Sequence, residues 1–386
     1  MKSSTPIVVV AFNRERSLRR LLQSLESAHY PKADIELFIS IDYAADNADI
    51  LKIADNFSWN HGKKSVIYHR ENLGLRKHIL TCGDLSIKHG SIIILEDDLF
   101  VSPDFYNYAI QALKFSEDKE SIGGISLYNH QLNVHTLQNF SPFEDGFDNW
   151  YFQFASSWGQ AYSKAMWEGF MNWYQKTSSI DNETSIPAYV RSWSEKSWLK
   201  YNIAYLIVDK KFFLYPKVSL TTNFSDAGTH VGNDSTIYQV PLMGTKNKKY
   251  SFSLPEESSS TYDAYYENMG LSKVLGINEA ELTVDLYGYQ NQFSTRYVLS
   301  PNILNYRIIK SYGKSLKPRD ANIIYNIAGN ELFLYDLQID EKNENKTDQH
   351  RAILYDHKQI HPLSALKIVV KYGFGRFKRL FSMFSK

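Results

Sequence analysis

The stretch SIIILEDDLFVSPDF, residues 91–105, decides the fold. Ile92 to Leu95 is an unbroken apolar run rich in β-branched residues, as a strand covered on both faces requires. It stops at Glu96-Asp97-Asp98, and Pro103 then stands at the first turn of a helix, a position that suits proline. A buried strand ending in three consecutive acids is costly unless something cationic neutralises them. Neighbouring strand side chains point apart, so the three carboxylates serve different partners. Oxygen ligands suit a hard divalent cation, and a carboxylate also accepts bonds from hydroxyl groups. An isolated Glu-Asp-Asp reads as a helix cap or a solvated turn; its surroundings favour a site.

Outward from this stretch the chain alternates strand and helix. Ile7 to Phe12 is a strand, and Leu18, Leu21, Leu22 and Leu25 follow at helical spacing, with Arg14, Arg16, Arg19 and Arg20 among them. Strands are predicted at 35–41 and 65–68, helices at 46–57 and 73–89, and a further strand at 122–127. Repeated β-α units imply a doubly wound, mostly parallel α/β sheet. Ligands of such sheets bind beyond the carboxyl ends of the strands. Asn13-Arg14, Asp42 and Glu96-Asp97-Asp98 are therefore expected in one crevice.

Lys+Arg is 43 against Asp+Glu 42, which excludes a global pull toward nucleic acid. Cys82 is the only cysteine, pointing to a reducing compartment. The opening apolar run, Pro6 to Phe12, is too short for a signal-peptide core or a membrane span, and the expected location is the cytoplasm. Aromatic residues reach 15%. They crowd between Phe147 and Tyr174 (Trp150, Tyr151, Phe152, Phe154, Trp158, Tyr162, Trp167, Trp173), where they fill a core or present flat faces to sugar rings.

Past residue 232 the character changes. Residues 244–262 read as a polar linker, 263–340 as a smaller α+β region with a strand at 332–337, and 340–349 as a charged connector. The expected division is 1–235, 236–350 and a basic amphipathic helix in 351–386. Between Leu363 and Lys386 stand Lys367, Lys371, Arg376, Lys378, Arg379 and Lys386, without an acid. Leu366, Val369, Val370, Phe377, Leu380, Phe381 and Phe384 form a helical stripe beside them, a pattern that suits an anionic membrane surface or packing on the rest of the chain.

PIVVVAFNR, SIDYAAD, NLGLRKHI and IIILEDDLFVSPDFYNYA occur in the order and spacing of GT-A fold glycosyltransferases. The first 230 residues resemble family 2 and, more closely, the N-acetylglucosaminyltransferase I family. The resemblance implies a UDP-sugar site in which Phe12, Asn13 and Arg14 line the base and ribose pocket and Asp42 bonds the uracil edge. It further implies that Arg76 and Lys77 face the base or diphosphate, that Glu96 and Asp97 face the ribose or sugar, and that Asp98 holds Mn2+ or Mg2+. SSWGQAY resembles the turn that approaches the donor sugar, through Trp158 and Gly159. YPKVSLTTNFSDAGTH ends at His230, which resembles the family's late histidine on metal or diphosphate. The family's basic carboxylate has no clear counterpart: Glu195, two residues from the best alignment, and Asp226 both stand for it.

The expected reaction is inverting transfer of a hexosyl or N-acetylhexosaminyl group to a glycan or lipid-linked oligosaccharide at the inner face of the plasma membrane, in bacterial surface polysaccharide synthesis. A sugar nucleotidyltransferase shares such a scaffold but needs a glycine-rich loop after the first strand, and AFNRERSLRR has no glycine. A catalytically dead nucleotide-sugar-binding scaffold is the non-enzymatic alternative.

Overall fold

The computed structural model describes residues 4–31, 34–181, 183, 185–224, 226, 237–290, 292–344, 354–356, 361–367 and 369–371. The chain forms two compact units, Met1–His135 with Phe140–Ala280, and Thr136–Asn139 with Glu281–Lys386.

The described elements begin with β1 (Ile7–Ala11), α1 (Glu15–Glu26), β2 (Leu37–Ile41), α2 (Ala48–Asn56), β3 (Lys64–Tyr68), α3 (Gly74–Gly83), α4 (Leu85–His89), β4 (Ser91–Glu96), β5 (Leu99–Val101), α5 (Phe105–Phe115) and β6 (Ile122–Ser126). The short strands β7 (Leu132–Asn133) and β8 (Gln138–Asn139) follow. Next come β9 (Asn149–Phe152), β10 (Gln160–Ser163), α6 (Lys164–Lys176), α7 (Ala188–Arg191), α8 (Trp198–Val208), β11 (Phe212–Pro216), β12 (Thr221–Asn223), β13 (Thr261–Tyr262) and α9 (Leu271–Leu275). The second unit adds β14 (Leu282–Val284), β15 (Tyr297–Ser300), β16 (Tyr306–Tyr312), α10 (Ala321–Ile324) and β17 (Leu332–Asp340).

The first unit is built on a nine-stranded sheet of order β13-β9-β11-β6-β10-β4-β1-β2-β3. Its β4-β1-β2-β3 block is parallel throughout, as the β-α repeat requires. Strand β10 runs antiparallel between β4 and β6. Ile7, Val8, Val9, Ile92, Ile93 and Leu95 are fully buried, and α1 lays Leu18, Leu21, Leu22 and Leu25 into the same core. The helix expected over 73–89 is interrupted where Gly83 meets Trp167. A Cβ there would stand 1.9 Å from the indole, whose Nε1 donates to Asp84 Oδ1 at 2.9 Å.

Burial decides one open reading here, and the unit boundary changes another. Of the aromatics crowded before Tyr174, Trp150, Tyr151, Phe152, Tyr162 and Trp167 are completely buried, so they are core, and only Trp158 and Trp173 keep partial exposure. Residues 237–280 belong to the first unit, although the reading placed a boundary at 235. Polar bonds hold them: Asp104 accepts from Asn247 N at 2.7 Å and from Tyr250 Oη at 2.7 Å, and Asp148 accepts from Lys248 Nζ at 2.6 Å. Hydropathy does not register such stitching.

The second unit is a four-stranded sheet of order β14-β15-β17-β16. Lys314 and Arg319 are both buried in it. Asp356 neutralises them, accepting from Arg319 Nη2 at 2.6 Å and Lys314 Nζ at 3.0 Å, and its carbonyl accepts from Asn139 Nδ2 at 3.0 Å. Residues 362–367 and 369–371 are helical, with Leu363, Leu366 and Val369 at least 60% exposed. Among the described residues no helix is long and apolar enough to cross a membrane.

Candidate active site

The ladders of the parallel block bring three strand ends together. Asp42 N donates to Ala11 O at 3.0 Å, and Asp97 N donates to Val10 O at 3.1 Å. Phe12 to Arg14, Asp42 and the acid turn 96–98 therefore lie side by side, as the topology requires.

Asp97 and Asp98 are buried at this turn. The Arg14 guanidinium ties them together, through Nη1 to Asp98 Oδ2 at 3.0 Å and Nη2 to Asp97 Oδ1. The Phe12 backbone N–H also donates to Asp97. One arginine does not satisfy both carboxylates: Asp97 Oδ2 and Asp98 Oδ1 are buried without a hydrogen-bond partner. Burial pushes the Asp97 carboxyl up to about 6 against the pull of Arg14, with Asp98 adding to the rise. Burial and then the charge of Asp98 push Glu96 up to about 8. Burial works against the Arg14 charge, but Asp97 and Asp98 outweigh it and hold the guanidinium above its ordinary range.

Strand β12 returns along β5 in antiparallel register, with Asn223 opposite Leu99, and Phe224 N donates to Asp98 O at 3.0 Å. This brings back Asp226, which accepts from Ser17 Oγ at 2.6 Å and from Arg20. The Arg20 guanidinium also lies 3.7 Å from the Phe224 ring centroid. Burial disfavours the Asp226 charge, but Arg20, Ser17 and more distantly Arg14 outweigh it and hold the carboxyl below the usual range. Sequence reasoning missed Ser17 and Arg20. Ser17 is three residues from Arg14 and Arg20 three from Ser17, so each meets the next as a helical neighbour at the start of α1, a signal that was there to read.

Asp42 has a different task. Its Oδ1 accepts from Tyr43 N at 2.9 Å and Leu73 N at 2.8 Å, and its Oδ2 from Gly74 N at 3.0 Å. It thus caps α3 from the end of β2, satisfying backbone donors that a helix start leaves open. Oδ2 has the capacity to accept one further bond. Behind it, Ser40 Oγ lies 2.8 Å from His78 Nε2 and 3.1 Å from His69 Nε2, and burial lowers His78 to about 4.

Arg76 and Glu195 come together in a second group. The Arg76 guanidinium lies 5.5 Å from the Tyr201 ring centroid, and Tyr201 Oη and Lys200 Nζ both donate to Glu195. Those bonds hold Glu195 below the usual carboxylate range, although its side chain is 61% exposed. Lys77 points to the surface and pairs with Glu71 at 3.3 Å, while Asn13 is exposed.

Gly159 has φ +92°, and a Cβ there would meet Thr221 Cγ2 at 2.8 Å. Only glycine suits that combination of backbone angle and close approach. Half-buried Trp158 packs on Tyr238, ring centroids 4.6 Å apart. His230 lies outside the described residues. Among those residues no set of three His, Cys, Asp or Glu side chains suited to a metal ion converges. The two orphaned carboxylate oxygens nevertheless fit a hard divalent cation, which takes one or two carboxylates and completes its shell from substrate phosphates and water.

Residues 7–167 match the family model of glycosyl transferase family 2. The match takes in β1, the α3 cap, the acid turn and the Trp158-Gly159 turn, and ends before Glu195 and Asp226. The mostly parallel nine-stranded sheet is of the GT-A type expected from the sequence. Among solved structures the chain is similar to a mannosyltransferase from Pyrobaculum calidifontis in complex with GDP-Man and Mn2+. That pair shares 12% identity at a TM-score of 0.32, over 44% of this chain and 47% of the other. It is also similar to S. aureus TarS 1–349 in complex with UDP-GlcNAc, at 16% identity and a TM-score of 0.33, over 55% of this chain and 58% of the other. This chain therefore spans about half the length of the structures it matches.

Proposed function

We propose that this chain is a metal-dependent, inverting glycosyltransferase that moves a hexosyl or N-acetylhexosaminyl group from a UDP-sugar to a hydroxyl of a glycan acceptor. The observation that carries the reading is the pair of orphaned oxygens, Asp97 Oδ2 and Asp98 Oδ1, at the carboxyl end of a central strand within the family match. Asp98 would hold Mn2+ or Mg2+, which as a Lewis acid offsets charge on the departing diphosphate. Asp97 would accept from the ribose or donor sugar, and Asp42 from the uracil edge through its Oδ2. Arg14, which lies against both acids, would face the donor beside them.

For the base we favour Asp226 over Glu195. Asp226 shares the surroundings of the acid turn through the β5–β12 ladder and Arg14, whereas Glu195 sits with Arg76. As base it would take the acceptor's proton while the hydroxyl oxygen attacks the anomeric carbon. The C-terminal helical stripe supports docking on an anionic membrane, where a lipid-linked acceptor would lie: Leu363, Leu366, Val369 and Val370 are exposed, with Lys367 and Lys371 alongside.

A thermal-shift screen of UDP-sugars with and without Mn2+ tests the reading. The right donor should raise the midpoint by mass action, more so with Mn2+, and Asp98→Asn should remove the Mn2+ increment and nearly abolish transfer. Wild-type transfer that persists unchanged in EDTA would sink the metal-dependent mechanism.

A further inference from the structure

Although most of the aromatic residues are core, some in the first unit reach the surface: Tyr43 and Tyr68 as a pair, and a larger set elsewhere. Tyr189 is 46% exposed, and Trp193, Trp158, Tyr238 and Tyr265 are half-buried. They fall in two groups that share one buried aromatic bed. Trp158 packs on Tyr238 at 4.6 Å, and the buried rings of His130 and Phe154, 6.0 Å apart, join this pair to Trp193. Tyr189 meets Trp193 at 5.5 Å and His135 at 5.3 Å, and His135 meets Tyr265 at 6.4 Å.

The rim rests on a rigid bed. His130 lies 5.6 Å from Trp158, and Phe154 lies 6.0 Å from Trp193, both themselves buried. Tyr128 Oη donates to Tyr238 O at 3.0 Å. A surface so fixed loses little conformational freedom when a ligand covers it. Each ring offers an apolar face and an O–H or N–H at its edge. That combination matches a pyranose ring, which has C–H faces and a hydroxyl rim.

The rim also begins beside the candidate active site. Thr221 Oγ1 donates to Trp158 O at 2.5 Å, and Thr221 pairs with Val101, three residues beyond Asp98. Three residues of strand span about 10 Å.

We propose that Trp158, Tyr238, Tyr189, Trp193 and Tyr265 form the acceptor subsite, on which sugar rings of the acceptor glycan stack while their hydroxyls bond the phenol groups. The proposal rests on the transferase reading for the word acceptor; as a glycan-binding surface it stands on the rings alone.

The test is a printed glycan array probed with labelled full-length protein, followed by calorimetry on the tightest glycan. Wild type should be retained on a subset of glycans. Tyr189→Ala, at the most exposed ring, should weaken that binding by about tenfold, the scale on which a truncated aromatic anchor registers. Tyr189→Phe, which keeps the ring, should retain most of the affinity. Trp193→Ala is a second probe, read only if its near-ultraviolet circular dichroism matches the wild type. No retained glycan, or unchanged affinity in Tyr189→Ala, overturns the proposal. The UDP-sugar shift is read in parallel on the wild type. A protein that holds glycan but no UDP-sugar keeps the rim and loses the transferase reading; one that holds UDP-sugar but no glycan loses only the rim.

Discussion

Asp97→Asn should change how the stability of the first unit depends on pH. Burial raises the Asp97 carboxyl from 3.8 to about 6 in the folded protein. The native state then holds this proton more tightly than the unfolded chain, so its contribution to stability is fully present below about 3.8 and is lost as pH rises through about 6. At 1.36 kcal/mol per pH unit, the whole interval is worth about 3 kcal/mol. Measurements at pH 5 and pH 7.5 straddle about one unit of it, so wild type should lose about 1.4 kcal/mol relative to Asp97→Asn between those conditions. The comparison between the two proteins cancels groups that do not feel Asp97, including buried His78, whose lowered value acts in the opposite direction; Glu96, which Asp97 helps to raise, adds to the difference between them. Urea unfolding followed by tryptophan fluorescence in EDTA reads the effect, because all 7 tryptophans fall in the first unit. Parallel pH profiles for the two proteins would refute the claim that Asp97 is buried beside Asp98 with only one cation between them.

Asp226→Asn should lower turnover by about two orders of magnitude or more, the scale of losing a general base, while the UDP-sugar shift persists; if Glu195→Gln shows that pattern instead, the base is Glu195. A chain ending at Ile360 should lose binding to anionic vesicles at low salt and keep its donor affinity, with co-sedimentation as the readout. The cut is placed after Asp356 because an earlier one would leave Lys314 and Arg319 buried without their carboxylate.

The parallel half of the sheet was legible because Ile7–Ala11, Leu37–Ile41 and Ser91–Glu96 are apolar runs separated by helical periodicity, and topology alone gathers their ends. The antiparallel insertion of β10 between β4 and β6 was not legible, since a strand such as Gln160–Ser163 carries no mark of its partner. Trp150 and Phe152 could equally have faced a sugar or a core, and only burial on both faces of β9 decides. The acid turn was visible as three charges ending an apolar run. The capping role of Asp42 was hidden, because its partners Leu73 and Gly74 stand over thirty residues away and offer backbone rather than side chains. Tyr189 and Tyr238 had no sequence signal, being single aromatics in polar stretches.

The Asp356 clasp sets a leash. From Asp356 to Leu363 there are seven residue steps, and a fully extended chain covers at most about 3.5 Å in each. Whatever path the intervening residues take, Leu363 stays within about 25 Å of Asp356. A membrane bound through that tail would therefore hold the second unit close to the bilayer. Lengthening the leash with inserted glycine and serine, while leaving clasp and stripe intact, would separate anchorage from standing height: vesicle affinity would persist, and only the working distance from the lipid surface would grow.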